Sequence, residues 1–303
     1  MWNANGLGQH AQELKIFVQT HNIDVLLISE AHLTHRSHIT ISNYTIYSTI
    51  HPEETALGGT AVIIRNNIKH YETAAYRHDN IQATSMVLED NTGDLTISAV
   101  YCPPRHNNEY DDYERFFTTL GNRFIAGGDY NAKNTIWGSR LTTTKGCELH
   151  RVILHNNLNY LSTRQPTYWP TATNKLPDLL DFCLTKGIDT RKPTVESSLE
   201  LTSDHTPILI TMFAHIQGKP KKPSLYTNRK NWNYFREIPD TSITLEIPLK
   251  TETDIEAAVQ DLTKAIQQAA WQATSDSKDD RLQQKCPLIV RQKITEKRRA
   301  RKR

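Results

Sequence analysis

The feature that most constrains the fold is a series of short apolar runs within the first 213 residues. Runs with the length and composition of β-strands lie at 24–29, 60–64, 85–89, 95–101, 124–126, 179–184 and 207–213. Helical spacing of apolar residues is found at 9–21, 110–120 and 145–157. Strands therefore outnumber helices, and residues 90–94 predict a hairpin turn. This pattern predicts an α+β fold, a four-layer α/β sandwich of two packed mixed β-sheets flanked by helices.

Composition changes along the chain and predicts its domain organisation. Pro and Lys alternate at 218–223, which is typical of an extended linker. Apolar residues at helical spacing then predict a helix over 253–272. We therefore expect a globular domain at 1–213, an extended Pro/Lys linker at 214–250 and a mainly helical basic connector at 251–303.

Charge follows the same division. Residues 1–213 contain 17 Lys and Arg against 22 Asp and Glu, whereas residues 214–303 contain 19 against 11. A mildly acidic body with a basic tail favours a polyanionic partner. No apolar run approaches the roughly 20 residues of a membrane span, so no membrane partner is expected. The four cysteines include no C-x-x-C spacing, which gives no sign of a zinc cage or a redox pair.

Acidic and polar side chains cluster where the predicted strands end. The principal ones are Glu30, Asp129, Asp181, Asp204 and His205. Each taken alone has an ordinary explanation as a turn, edge or structural residue. Taken together they supply the oxygen ligands that hard divalent cations prefer, and an imidazole that can act as a base. Phosphoryl chemistry requires this combination, and the sequence therefore predicts a phosphoryl-transfer site.

Six motifs occur in a fixed order over about residues 1–213. They are Trp2-Asn3-Ala4-Asn5-Gly6-Leu7, Ser29-Glu30, Val100-Tyr101, Gly128-Asp129-Tyr130-Asn131, Leu180-Asp181-Phe182 and Ser203-Asp204-His205-Thr206-Pro207. The set resembles the exonuclease–endonuclease–phosphatase superfamily, which includes the apurinic repair endonucleases. An ordered set of this kind is much more specific than any one of its members.

Within that superfamily the chain is similar to the endonuclease domain of Jockey-type non-LTR retrotransposons. The similarity is carried by the Asn-x-Asn-Gly-Leu motif and by the stretches 58–64 and 128–139. In such elements a helical basic connector and a reverse transcriptase follow the endonuclease, and residues 214–303 resemble that connector. The resemblance implies a Mg²⁺-dependent endonuclease, with Mn²⁺ as an alternative ion, that nicks DNA and leaves a 3′-hydroxyl for reverse transcription.

The same resemblance implies the partners and the location of the protein. The partners would be double-stranded target DNA and the element's RNA, the latter through a polymerase that this sequence does not contain. The location would be nuclear, after a cytoplasmic stage before import. The run at 297–303, with six basic residues in seven, could bind nucleic acid or direct nuclear import, although such runs are more often solvated linker.

The resemblance also implies roles for individual residues. The metal ligands would be Glu30, Asn3 and Asp204. Asp129 would position or deprotonate the attacking water. His205 would contact the scissile phosphate or act as the base, and Asp181 would orient its ring. Asn131 and Tyr101 would donate hydrogen bonds to the pentacoordinate phosphorane.

Residues that could contact the DNA are less specific in the sequence. Basic side chains in or next to the motif loops are Arg65, Arg105, Lys133, Arg140 and Lys145. Trp169 lies in a predicted hairpin loop, where it could stack on the DNA or close the core. Asn5 stands where repair enzymes have Asp and is grouped with the DNA-binding residues. Ordinary solvated surface is the alternative for each basic residue.

The predicted first strand is short, because Met1 directly precedes Trp2. A short strand would hold Asn3 and Asn5 less firmly and would weaken the site. Two alternatives to an active retroelement endonuclease stay open. One is a catalytically impaired remnant that binds nucleic acid, and the other is a repair endonuclease or phosphatase of the same fold.

Overall fold

The computed structural model describes residues 1–189, 193–212, 214–219, 231–243 and 249–273, together with Lys293 and Glu296. Contacts divide the chain into two compact units. The first includes Met1–Lys219, and the second is Pro220–Gln283. Among the described residues, no helix combines the length and the apolar character needed to cross a membrane.

The described part of the first unit contains thirteen strands and three helices. The strands are β1 (Trp2–Asn3), β2 (Val25–Ser29), β3 (Tyr44–Thr49), β4 (Thr60–Arg65), β5 (His70–Glu72), β6 (Tyr76–Arg77), β7 (Gln82–Leu88), β8 (Leu95–Tyr101), β9 (Phe124–Asp129), β10 (Asn159–Leu161), β11 (Asp181–Lys186), β12 (Thr194–Ser197) and β13 (Ile208–Thr211). The helices are α1 (Leu7–Thr20), α2 (Tyr110–Thr119) and α3 (Thr144–His155).

These strands form two mixed sheets and one small pair. The first sheet has the order β1-β2-β4-β3, and the second has the order β10-β11-β9-β8-β7-β5, with β6 also paired to β7. Strand β1 is parallel to β2 and β8 is parallel to β9, whereas the other pairs within these sheets are antiparallel. Strands β12 and β13 form a separate antiparallel pair.

Alternation of side chains along the strands explains why the sheets pack face to face. In β4, Val62 and Ile64 belong to the core between the two sheets, whereas Ala61 and Ile63 pack on the side of α1. The outer face of the second sheet packs against α2 and α3 through Phe116, Leu149 and their neighbours. Successive residues of a strand point to opposite faces, so a fully apolar strand joins two cores. The predicted four-layer α/β sandwich is confirmed.

Strand β1 has only two residues, yet it pairs in register with the end of β2. Trp2 lies opposite Ile28, and Asn3 lies opposite Ser29. The Trp2 side chain is buried, and its indole N–H donates to the carbonyl oxygen of His205 at 3.2 Å. This pairing places Asn3 beside the residue that follows β2.

The described part of the second unit contains helices α4 (Trp232–Ser242) and α5 (Glu252–Gln272). Helix α5 confirms the helix predicted at 253–272, and Thr251 begins it with a capping box. Helix α4 lies within the range 214–250, which the sequence interpretation treats as wholly extended; the side chain of Asn231 caps it by accepting from the N–H of Tyr234. The basic run at 297–303 and the Pro/Lys residues at 220–223 lie outside the described residues. The three domain boundaries stay a prediction.

Candidate active site

The ends of strands from both sheets meet at one edge of the sandwich. In the second sheet, Asp129 lies opposite Tyr101 on β8 and opposite Asp181 on β11. In the first sheet, β2 ends at Ser29, directly before Glu30. Strand pairing therefore brings three predicted site residues side by side, and packing of the two sheets adds a fourth.

Asp129 is held by a network of N–H donors. Its carboxylate accepts from the backbone N–H of Asn131 at 2.9 Å, from the Asn131 side-chain amide at 2.8 Å and from the Asn3 amide at 2.9 Å. The same Asn3 amide nitrogen donates to Glu30 Oε1 at 2.9 Å. The Asn3 side-chain oxygen Oδ1 accepts from the backbone N–H of Asn5. Asn3 thus bridges the two carboxylates as a donor, and its predicted role as a metal ligand stays a prediction.

His205 and Asp181 form a buried pair. His205 Nδ1 lies 2.7 Å from Asp181 Oδ2, and both side chains are almost fully buried. The ring of Tyr168 packs against the imidazole with 4.9 Å between ring centroids. Asp181 Oδ1 is buried without a hydrogen-bond partner among the described residues. This geometry fixes the ring and leaves one carboxylate oxygen of the pair unused.

Electrostatics at the site reflect too many negative groups in a small buried volume. Burial, and then the neighbouring Asp181 carboxylate, raise the pKa of Asp129 to about 8. Burial alone would lower the pKa of His205, but the charge and hydrogen bond of Asp181 outweigh it and raise this pKa to about 10. Without a cation, the cluster therefore tends to hold protons at neutral pH.

Glu30 stays an anion in the same environment. Burial would raise its pKa, but hydrogen bonds from His32 and Asn3 outweigh this and lower it. The Tyr101 hydroxyl hydrogen-bonds Glu30, and burial together with the Glu30 charge raises the pKa of Tyr101 far above its ordinary value. Tyr101 is therefore a neutral O–H donor in this site.

Several of the site residues have an uncommon backbone conformation. Asn5, Glu30 and Asn131 have φ values of 44°, 48° and 46°. Residues other than glycine rarely adopt this backbone conformation, which costs on the order of 1 kcal/mol per residue. Such a conformation persists where surrounding contacts enforce it.

The site opens into a cleft of about 700 Å³ lined by Glu30, Asp129, Asn131, Asp204 and His205, among others. Ligand atoms of Asp129, Asp181 and His205 lie within 4.8 Å of one another. Hard oxygen donors, surplus negative charge and the unused Asp181 oxygen all fit a divalent cation such as Mg²⁺. Asp204 lies at the rim, where it accepts from the Asn5 side-chain amide at 3.3 Å.

Two of the predicted DNA-binding cations line this cleft. Lys133 Nζ lies 3.0 Å from Asp178 Oδ2, and Arg140 Nε lies 3.7 Å from the same oxygen. Arg105 is exposed and hydrogen-bonds His106, in the loop after β8. Trp169 is half-buried, and its indole N–H donates to the Thr206 hydroxyl at 2.9 Å. Contact of these residues with DNA stays a prediction.

Two other basic residues do not join the cleft. Arg65 is the last residue of β4. The first residue of that strand, Thr60, pairs with Ser29 beside the site, so Arg65 lies about 16 Å from the site along the strand. It forms an ion pair with Asp24 there. Lys145 is buried and donates to the carbonyl oxygens of Cys102 and Pro103. The prediction that Lys145 contacts a DNA phosphate is wrong, because its ammonium group is buried and hydrogen-bonds these two backbone carbonyls.

Sequence reasoning missed several residues that the structure places at the site. They are Ser29, His32, Tyr168, Lys175 and Asp178. Ser29 lies inside one of the six motifs and Tyr168 precedes Trp169, but nothing in the sequence distinguishes their hydroxyl and ring from ordinary core groups. Asp178 stands three residues before Asp181, and its partners come from a distant loop.

Comparison with known proteins agrees with this geometry. Residues 2–205 match the endonuclease/exonuclease/phosphatase family, and the chain belongs to that family. It is 31% identical over its whole length to the RNA-directed DNA polymerase from the mobile element jockey of Drosophila funebris. It is 33% identical, over 89% of its length, to the jockey polymerase of Drosophila melanogaster. The chain spans about a third of the length of these relatives.

Solved structures show the same fold. The endonuclease domain of TRAS1, a telomere-specific non-LTR retrotransposon, matches with a TM-score of 0.57 at 18% identity, covering 69% of this chain and 94% of that one. The catalytic domain of Xenopus laevis APE2 matches with a TM-score of 0.53 at 16% identity, covering 73% and 93%.

Proposed function

We propose that this protein is a Mg²⁺-dependent endonuclease that hydrolyses one phosphodiester bond in double-stranded DNA. The observation that carries the proposal is the convergence of Glu30, Asp129 and the Asp181–His205 pair at one cleft, in a chain of this family. Its relatives are retroelement polymerases, so the nick would serve as the primer end for target-primed reverse transcription.

The protein's own groups divide the chemistry between them. Asp181 holds the His205 imidazole through Nδ1, which leaves Nε2 for the scissile phosphate or for a proton. Asp129 is the group that orients the attacking water and takes its proton, and burial gives it the basicity to do so. Asn131 and Tyr101 are neutral donors beside it, suited to charge that develops on phosphate oxygens.

A divalent cation fits the acidic side of the same cleft. Glu30 and Asp204 would hold it through carboxylate oxygens, with Asn3 beside Glu30. When bound, Mg²⁺ supplies Lewis-acid polarisation of a phosphate oxygen and stabilises the leaving 3′ oxygen. Mn²⁺ would satisfy the same oxygen donors.

The test is nicking of supercoiled plasmid by the full chain with Mg²⁺ and with EDTA. We expect conversion to open circles that DNA ligase reseals, which indicates a 3′-hydroxyl and a 5′-phosphate. Glu30→Gln and His205→Asn should abolish nicking. Glu72→Gln removes an exposed carboxylate on β5 and is the matched control, expected to keep full activity.

Other outcomes would redirect the proposal. A folded wild-type protein that binds DNA but nicks nothing under any metal condition would favour the nucleic-acid-binding remnant. Cleavage restricted to duplexes with an abasic site, or release of phosphate from a 3′-phosphate end, would favour the repair or phosphatase alternative. Nicking that persists in Glu30→Gln would exclude the assigned site.

A further inference from the structure

The two sheets meet at the site without a shared backbone ladder. Strand β2 belongs to the first sheet, whereas β8 and β9 belong to the second. The groups that the proposed function needs are divided between them, because Glu30 follows β2 and the partners Tyr101 and Asp129 end β8 and β9. Some contact across the sheets must therefore set the distance between these carboxylates.

The Ser29 hydroxyl makes that contact. It donates to the carbonyl oxygen of Val100 at 2.7 Å and accepts from the backbone N–H of Asp129 at 3.0 Å. Ser29 is fully buried, so water does not compete for these bonds. The Ser29 hydroxyl uses its single O–H donor in one of these bonds and an oxygen lone pair as the acceptor in the other. One oxygen thus joins the ends of three strands.

Each of the three residues in these hydrogen bonds either precedes a residue of the site or is one. Ser29 precedes Glu30, Val100 precedes Tyr101, and the Asp129 N–H belongs to the carboxylate residue itself. A shift of this hydroxyl would therefore move Glu30 relative to Tyr101 and Asp129. Asn3 bridges Glu30 and Asp129 at the level of the side chains, whereas Ser29 connects their backbones.

Gly128 leaves the space that this arrangement needs. A Cβ atom at Gly128 would lie 2.0 Å from the Val100 carbonyl oxygen and 2.7 Å from Ser29 Oγ. Both distances are too short for a Cβ contact, and the 2.0 Å contact is with a backbone atom that strand pairing holds in place. The glycine that precedes Asp129 therefore permits the close approach of β2 to β8 and β9.

We propose that Ser29 is a positioning residue that fixes the spacing between the Glu30 carboxylate and the Tyr101–Asp129 edge, and so sets the cation affinity and turnover of the site. This inference rests on the proposed function. Ser29 touches neither substrate nor the reacting atoms. It acts through the strand ends that it joins. Substitution of a group that orients a metal's ligands commonly lowers metal affinity or activity by about 10- to 100-fold.

The test compares Ser29→Ala with Ser85→Ala in the full chain. Ser85 also carries a buried hydroxyl, which hydrogen-bonds Ser98 at 2.9 Å between β7 and β8, away from the cleft. Ser29→Ala loses two buried hydrogen bonds and Ser85→Ala loses one, so Ser29→Ala should lose more thermal stability, and both variants are compared as folded proteins. Metal affinity is measured with Mn²⁺ alone, by electron paramagnetic resonance in the absence of DNA.

We expect Ser29→Ala to weaken Mn²⁺ binding and to lower kcat for plasmid nicking at saturating Mg²⁺, each by about 10-fold or more. The KM for plasmid should stay unchanged, because the DNA surface is intact. Ser85→Ala should bind Mn²⁺ and turn over as the wild type does. Ser29→Cys keeps a similar volume and a weak S–H donor, so its values should fall between those of wild type and Ser29→Ala.

A folded Ser29→Ala protein whose Mn²⁺ affinity and kcat equal those of Ser85→Ala would overturn the inference. If Ser29→Ala does not fold, Ser29→Cys decides: values equal to wild type overturn the inference, and a matched loss in both readouts supports it. Wild type that binds no Mn²⁺ also overturns it. Wild type that binds Mn²⁺ but nicks nothing overturns the proposed function alone, because the Mn²⁺ readout still tests the spacing.

Discussion

Asp129 and Asp90 lie at opposite ends of the second sheet, and both are buried. Asp90 follows β7 and pairs with Arg123, which directly precedes β9, at 2.9 Å. It also accepts from the N–H and the hydroxyl of Thr92. Asp129 ends β9 and accepts only neutral donors among the hydrogen bonds described for it, with Asp181 beside it.

The two carboxylates consequently titrate in opposite directions. Burial would raise the pKa of Asp90, but the Thr92 and Arg123 hydrogen bonds outweigh it and lower this pKa. Burial and Asp181 raise the pKa of Asp129 to about 8. One end of the sheet therefore satisfies its buried charge locally, whereas the other leaves charge for a ligand to neutralise. A buried carboxylate with a strongly raised pKa, such as Asp129, marks a candidate functional site.

The largest expected effect is on the kcat for nicking, which should distinguish Asp129 from Asp90. Asp129→Asn should lower kcat for nicking by about 10²- to 10⁴-fold, because the amide cannot take a proton from water. Asp90→Asn should keep kcat within about twofold, measured on the folded fraction. Steady-state nicking at saturating Mg²⁺ checks both. Substantial activity in Asp129→Asn, or a comparable loss in Asp90→Asn, would remove the functional distinction between the two ends.

The pH dependence of stability should follow the same division. With its pKa raised to about 8, folded Asp129 keeps a proton between pH 4 and 8 that the unfolded chain has lost, so stability falls as pH rises. His205, raised to about 10, acts in the same direction above about pH 6.5. Each proton contributes at most about 1.4 kcal/mol per pH unit.

Urea unfolding in EDTA at pH 6 and pH 8 measures this dependence. Wild type should be less stable at pH 8, and Asp129→Asn should lose less stability over the interval. Asp90→Asn should keep the wild-type difference, because a lowered pKa contributes stability above the unfolded value and loses it only in acid. Metal-free wild type that gains stability between pH 6 and 8 would contradict the surplus of charge at Asp129.

The third effect is on stability at one pH. Asp90→Asn should destabilise the protein by about 2 kcal/mol at pH 7, because it leaves the Arg123 guanidinium without its charged acceptor. Asp129→Asn should not destabilise the metal-free protein, because it removes a carboxyl group whose ionisation the folded state disfavours. Chemical denaturation of both variants gives the comparison, and an equal loss in both would mean that Asp129 is as well satisfied as Asp90.

The sequence predicts the Asp129 end of this comparison better than the Asp90 end. Glu30 and Asp129 each follow an apolar run and Asp181 interrupts one, so all three are marked by local features of the sequence. Pairing of β8, β9 and β11 follows from the fold class and brings the carboxylates together. The two-sheet architecture was predictable for the same reason, because alternating and fully apolar runs record which faces are buried.

What the sequence did not predict depends on contacts between distant segments. Lys145 resembles any surface lysine in the sequence, yet the loop after β8 encloses it. Strand β3 is only half-buried and has a weak alternation, so it gave no strand signal. The role of Ser29 depends on Val100 and on the N–H of Asp129, which are 71 and 100 residues away.

The smallest expected effect concerns the cations around the cleft. Lys133 lies in the cleft beside Asp178, whereas Arg65 pairs with Asp24 at the far end of β4. If Lys133 contacts one DNA phosphate, Lys133→Ala should weaken binding and reduce the slope of log affinity against log salt by about 1. Arg65→Ala should leave the slope unchanged. Fluorescence anisotropy with duplex DNA in EDTA measures binding without cleavage. Equal slopes for Lys133→Ala and wild type would exclude Lys133 from the DNA interface, and a reduced slope in Arg65→Ala would move that interface to the Asp90 end of the molecule.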